Sequence, residues 1–386
     1  MNTVSFKIYT RIFLLGLGAI LVALTSISVV CGSDALLKLY GPEKPTFESG
    51  YRPFDQWGPM GTFNINGYAD AGGLFNANSS DWNGISAGSK SDLGLAGAYV
   101  SVEKAIRNNG CGFDGGFAVD LMYGNDYRYM RSYAGLDQDW NTGDDGYGFA
   151  MPQIYGELAF NQWSVKIGHF YSFLGYEQAR EDQRFFYSTS LAFDLRPVTT
   201  TGVLFNYNGF ENWDFSFGWI NGDDTGFSNE FGESMVTGMA RWHCSDWASV
   251  KWALQIGDGG VFGDGTDEFV NSFTFNVRCS SHWGYALEYN YANYYRQNLA
   301  AAHYNVIGNH IYYTINKAWQ LGARVEWLAV VKGLDGGEFS FGANWNPWRT
   351  LFVRPEIRYD WGNAPRFDMG NKEDQLALGF DIRYDF

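Results

Sequence analysis

Charge, proline, cysteine and basic residues are all scarce in this chain, and each shortage removes a class of protein. Charged residues are 18% of the 386, whereas aromatics are another 18%, a balance that excludes intrinsic disorder. Lys and Arg number 27 against 42 Asp and Glu, so the formal charge is −15 and a nucleic-acid surface is excluded. Four cysteines, one of them in the N-terminal segment, do not make a disulfide framework. One bridge plus a spare thiol among Cys111, Cys244 and Cys279 is one reading; three small half-buried side chains near strand ends is the other. The five histidines lie in no metal-ligand or nucleophile motif, and neither Gly-x-Ser-x-Gly nor His-Glu-x-x-His occurs. No enzymatic activity, cofactor or resident metal is expected. A Ser–His hydrolase would need residues that converge only in space.

Long apolar runs are confined to the N-terminus. Lys7 and Arg11 precede the run Ile12–Val30, and Cys31, Gly32 and Ser33 follow it. A basic start, an apolar stretch and small residues beyond describe a secretory signal cleaved near Gly32. An uncleaved anchor is the alternative, and Val30 before Cys31 argues against a lipoprotein. With no later segment able to span as a helix, the exported protein is either soluble or a β-barrel. The expected organisation is a signal peptide over 1–32, a proline-containing periplasmic linker over 33–61 and a barrel over 62–386.

What is abundant is glycine (48 residues) and the aromatics Trp, Tyr and Phe (15, 25 and 31) at a mean hydropathy of −0.25. This suits strands with one apolar and one polar face. Sixteen period-two segments run from 62–75 to 375–386, among them 152–160, 283–293 and 338–345. Their connections alternate in length. Asn161-Gln162, Gly209–Asn212, Ser245–Trp247 and Asn316–Ala318 are tight, whereas 127–151, 171–199, 222–233, 258–266, 294–303 and 360–374 are long, acidic and glycine-rich. A membrane barrel produces this segregation, because its periplasmic turns stay short while its outer loops grow. Trp163, Trp213, Trp247, Trp283, Trp319 and Trp348 fall at the short turns, which predicts an aromatic girdle at one interface.

Alternation assigns the faces. Trp213, Phe215, Phe217 and Trp219 share one, as do Val250, Trp252, Leu254 and Ile256, with Lys251 and Gln255 opposite. Sixteen strands of bulky aromatics cannot fit inside a closed barrel, so they face lipid and the charged face is wet. At a strand spacing of about 4.8 Å and a tilt near 40°, the backbone radius is roughly 16 Å, leaving a passage unless a segment blocks it.

The expected lumen lining is Asp70, Glu103, Asp120 and Glu157 on the first four strands, then Lys166, Arg241, Lys251, Arg278, Glu288, Arg324, Glu326, Arg354, Glu356, Arg358, Asp381 and Arg383. An acidic wall opposite a basic-leaning one would set up a transverse field; otherwise these charges hydrate and cross-link the interior. Segment 171–199, with Arg180, Glu181, Asp182, Arg184 and Arg196, is expected to fold inward as a constriction, the alternative being an exposed cap over the outer mouth. Acidic residues from Asp137 to Asp374 crowd the long loops, and Asp258–Glu268 is the best cation cluster, without EF-hand spacing. Pro355 stands mid-strand and calls for a bulge or a later strand start.

Val119–Arg128, Met151–Tyr155, Ser164–Tyr171, Gly175-Tyr176-Glu177, Phe185–Ser188 and Thr201–Leu204 resemble the putative β-barrel porin-2 family, also known as OmpL-like. The resemblance spans the chain from about residue 62 and implies an outer-membrane porin fold. Thr189 follows Ser188 where many members carry histidine, a departure at the mouth. Phe386, after Phe380, Ile382 and Tyr384, resembles the C-terminal signal read by the barrel-assembly machinery.

The expectation is an all-β, antiparallel up-and-down barrel of about sixteen strands in outer-membrane lipid, passing small hydrophilic solutes or ions by diffusion. Trimerisation fits a wide barrel. The alternatives are a plugged barrel serving as anchor or adhesin through its acidic loops, and a secreted aromatic-rich β-sandwich that binds glycans.

Overall fold

The computed structural model describes residues 64–77, 93–108, 110–133, 137, 146–228, 234–259, 266–296, 302–330, 333, 335–365, 367 and 370–386. The expected signal segment 1–32 and linker 33–61 lie outside them, as do the loop carboxylates Asp139, Asp144, Asp145 and Asp264.

Strands β1 (Asn64–Asn76), β2 (Gly94–Lys104), β3 (Phe113–Gly124), β4 (Gly148–Phe160), β5 (Trp163–Tyr171), β6 (Thr199–Phe210), β7 (Trp213–Asp223) and β8 (Ser234–Ser245) make the first half. The second half is β9 (Ala248–Asp258), β10 (Thr266–Arg278), β11 (Trp283–Arg296), β12 (Ala302–Asn316), β13 (Trp319–Val330), β14 (Gly336–Trp348), β15 (Leu351–Gly362) and β16 (Asp374–Asp385). Among the described residues the short helices α1 (Tyr127–Met130) and α2 (Leu191–Asp194) lie between them. Each strand pairs antiparallel with its neighbours in sequence, and β1 pairs with β16, closing a sixteen-stranded barrel. Asp70 faces Arg383 across the seam. Phe386 extends the closure by exchanging backbone hydrogen bonds with Gly67 at 2.9 and 3.0 Å. Closure leaves no open edge, the requirement for a sheet surrounded by lipid.

The strands run further than their alternation suggests. β4 begins at Gly148, β11 continues to Arg296 and β14 spans Gly336–Trp348. Connections expected over 258–266 and 294–303 shrink to 259–265 and 297–301, because Asp258 pairs with Asp267 in the β9–β10 ladder and Thr266 with Arg296 in the β10–β11 ladder. Once a ladder exists, pairing overrides the weak strand preference of acidic residues. Pro355 lies within continuous β15 and faces outward. The β14–β15 ladder is interrupted between Gly342↔Glu356 and Trp345↔Val353, beside the proline that has no N–H to give. The register shift falls at Trp345/Trp348, so the bulge lies on β14 rather than at Pro355.

The faces are inverted relative to a water-soluble barrel. Trp252, Ile256, Val325, Trp327, Leu378, Phe380 and Ile382 are exposed on the outside, while Lys251, Gln255, Arg324, Glu326 and Asp381 are buried inside. Trp163, Trp213, Trp247, Trp283, Trp319 and Trp348 are all exposed at the end of the barrel with the short turns. Trp348 closes β14 instead of following the turn. The girdle is denser than expected. Trp213 stacks on Trp242 with centroids 5.9 Å apart, Trp319 on Trp345 at 5.6 Å, and Trp163 and Trp283 each meet a tyrosine, Tyr207 and Tyr313, at 4.6 Å. These partners precede the turns and are directly cross-strand, so only the register reveals them.

Candidate functional site

Every expected lumen residue projects inward. Asp70, Asp120, Lys251, Arg278, Glu288, Arg324, Glu326, Arg354, Glu356, Arg358, Asp381 and Arg383 are buried. Glu103, Glu157, Lys166 and Arg241 are half-buried and alternate with outward residues in the same register. Glu157 accepts hydrogen bonds from Ser164 at 2.5 Å and from Asn206 at 3.4 Å. Lys166 lies opposite Glu157 in the β4–β5 ladder and sits 4.1 Å over the Tyr155 ring.

A barrel this wide would hold a column of water, and the side chains alone do not bury these residues. Segment 172–198, between β5 and β6, does. It crosses the lumen and docks on the far wall. Lys251 donates to the Gly175 carbonyl at 2.6 Å, and Glu288 accepts from the Tyr176 amide at 3.0 Å. Glu356 receives the Ser188 amide at 3.0 Å, while Arg324 donates to the carbonyls of Ser188 and Thr189 at 3.1 and 3.2 Å. Glu326 accepts the first two amides of α2, from Leu191 and Ala192, where the exposed N–H groups of a helix start favour a carboxylate. Wall side chains thus satisfy backbone groups that a loop inside a barrel would otherwise leave without partners. These contacts lay segment 172–198 against the inner face of the wall.

The expected opposition of an acidic and a basic wall is not what forms. The guanidinium groups are consumed in mixed ion networks. Arg354 reaches Asp381 at 2.6 Å, Glu181 at 2.8 Å and Asp70 at 3.3 Å. Arg184 pairs with Glu181 and, at 3.4 Å, with Asp126. Arg324 joins Glu177 at 3.0 Å and also Glu338; Arg358 bridges Glu338 and Asp360, both at 2.8 Å. Unpaired charges at this depth would be prohibitive, so the segment and the wall are built as counterions. Of the other segment residues, Arg180 pairs with Asp182 at 2.8 Å and lies 4.6 Å over the stacked Tyr99 ring. Arg196 donates to the carbonyls of Glu177 and Pro197.

Several members of these networks were missed by the sequence reading. Asp360 lies one residue past the expected strand 351–359, and carrying that alternation on to 362 faces it inward; Glu338 opens the expected strand 338–345, and its period already faces it inward. Glu177 lies in a connection, where no period assigns a direction, and Asp126 closes the expected strand 115–126, whereas β3 ends at Gly124. Thr189 contributes its carbonyl to Arg324 and Arg358, a bond that any residue supplies, so the departure from histidine leaves this tie intact. Cys111 and Cys244 are exposed free thiols and Cys279 is half-buried. Asp258 and Glu268 flank 260–265, which lies outside the described residues, and among those described no group of three or more His, Cys, Asp or Glu suits a metal ion.

The segment's own titratable groups are displaced. Burial pushes Glu177 up, but Arg324, Arg184 and the Ser190 amide outweigh it and hold the carboxyl below its ordinary value. Asp194, at the end of α2, is pushed up to about 8 by burial, which Thr189, Arg358 and Arg184 only partly offset.

The model of one family, described as putative beta-barrel porin-2, OmpL-like, matches residues 62–386, the whole of the barrel. The chain belongs to this family. It is an outer-membrane β-barrel porin. No curated protein matches the sequence of this OmpL-like porin. Its fold is similar to that of OmpT, an outer-membrane protein of Vibrio cholerae in its trimer form, with a TM-score of 0.57 at 11% identity over 84% of this chain and 99% of that one. An anion-selective porin from Comamonas acidovorans gives 0.57 at 10% identity over 84% and 99%. The outer-membrane channel DcaP of Acinetobacter baumannii gives 0.55 at 10% over 84% and 97%. At these identities the likeness is one of fold.

Proposed function

We propose that this OmpL-like porin is a passive diffusion channel whose bore is set by segment 172–198, with no chemistry and no energy input. The observation that supports it is the docking of that segment across the lumen onto Arg324, Arg354 and Arg358, opposite the half-buried polar surface of Glu103, Glu157, Lys166 and Arg241. A constriction held by buried charge admits small hydrophilic solutes and excludes apolar ones, which find no desolvated path. Of the residues expected to line the lumen, Glu103, Glu157, Lys166 and Arg241 are its pore lining and the buried ones anchor the constriction, to which Arg180, Glu181, Asp182, Arg184 and Arg196 belong. Residues 1–32 direct export, 33–61 form a periplasmic linker, and Phe386 presents the last strand to the assembly machinery. Trimerisation follows the trimeric OmpT of similar fold.

The depth of burial inside also favours a second reading, a plugged barrel that anchors its outer loops. Planar-bilayer recording separates the two. Stepwise conductance, raised by deleting 178–190, supports the channel; a silent protein that is folded by heat-modifiable mobility supports the plug.

A further inference from the structure

The sequence set a basic-leaning wall against an acidic one, and the similar fold from Comamonas acidovorans is anion-selective. The arrangement of charge here points the other way. Around Arg354 and Arg184 lie four carboxylates, Asp70, Asp126, Glu181 and Asp381. Around Arg324 and Arg358 lie three, Glu177, Glu338 and Asp360. Even with one carboxyl of the first group protonated, anions outnumber cations there. The second group carries no positive excess.

Among the other buried cations, Arg196 donates to the carbonyls of Glu177 and Pro197, which leaves its charge in place. Lys251 is held by the Gly175 carbonyl, and Arg383 by the Glu181 carbonyl and Asp385 at 2.7 Å. On the water-reached side, Lys166 is opposed by Glu157, and Arg241 by Asp214 at 4.0 Å. Glu103 adds a further negative charge on the same inner face. Charges buried in a low-dielectric wall are screened less than those in the water beside them, so the excess acts on whatever passes.

Resting on the channel reading above, we infer that this porin prefers cations, and that its permeant class is small hydrophilic cations rather than anions. One uncompensated charge about 10 Å away through water raises the local K⁺ concentration about twofold and lowers that of Cl⁻ as much, a ratio of about 4. The inference makes Glu103 and Glu157 selectivity-determining residues, because they carry negative charge on the accessible face.

The test is the reversal potential of the purified full barrel in a planar bilayer under a KCl gradient. The expected sign is that of K⁺ preference. Glu103→Gln and Glu157→Gln should each lower the K⁺/Cl⁻ permeability ratio by up to about fourfold, and Lys166→Gln should raise it. Heat-modifiable mobility confirms that each variant is folded. A reversal potential of the opposite sign, or a ratio indifferent to all three substitutions, overturns the inference while leaving the channel standing. No conductance at all overturns both.

Discussion

Arg354 on β15 and Asp381 on β16 face each other directly across the ladder and join at 2.6 Å, and the same guanidinium takes hold of Glu181 in the internal segment. One side chain therefore links two wall strands to the constriction. The wall does not depend on it, since the backbone ladder of β15 and β16 is intact on both sides of the pair.

Arg354→Gln should for that reason loosen the segment more than the barrel. Removing one partner of a buried ion network typically costs about 3–5 kcal/mol, because the remaining carboxylates are left without compensation. The expected outcome is a folded barrel with larger and noisier single-channel conductance. Conductance identical to the parent would contradict the docking role.

Gly175→Ala tests the near end of the same segment. Gly175 has φ +74°, and a Cβ there would lie 2.2 Å from Arg196 Nε and 2.7 Å from a Glu288 oxygen. A left-handed non-glycine residue costs roughly 1–2 kcal/mol before the collision is counted. Trypsin should cut at Arg180 or Arg184 faster in the variant than in the parent, with the β-core equally resistant.

Asp194 makes the docking depend on pH. Its folded value is about 8, whereas a free aspartate titrates near pH 4. Below about pH 4 the carboxyl is neutral whether docked or released, and docking carries no penalty. As pH rises from there to 8, only the released form ionises freely, so release is progressively favoured; above 8 the penalty is constant. Conductance should increase between these limits in the parent and stay level in Asp194→Asn.

The stacked pair Trp213–Trp242, with an interplanar angle of 14°, should couple energetically. Aromatic pairs contribute about 0.5–1.5 kcal/mol beyond their burial. A double-mutant cycle with alanine at both positions, read by urea unfolding in lipid bilayers, should return a coupling in that range. Additive losses would show that each indole acts alone at the interface.

Much of the barrel was legible in the chain because each strand carries its own instruction. Trp252, Leu254 and Ile256 against Lys251 and Gln255 declare two faces within a few residues, and Asn161-Gln162 declares a turn. The lumen residues followed from the same period. Asp360 did not, because the acidic and glycine residues that end β15 resemble loop, whereas the inward side of Glu338 is readable from the period of 338–345. Nothing local marks Glu177 as a partner of Arg324, 147 residues away.

The sequence by itself determined the number of strands, their order and the side that meets lipid. A period of two is a local property, and in hydrocarbon the backbone must pair with its neighbours in a closed ring. Only the tertiary structure decided that segment 172–198 lies inside and which carboxylate meets which guanidinium. Segment 172–198 has no period, and its ties, such as Ser188 to Glu356 across 168 positions, exist only once closure has fixed the radius and brought the far wall within reach. Burial then forces each charge to find a partner there, so the pairing is set by distance in space and not by place in the chain.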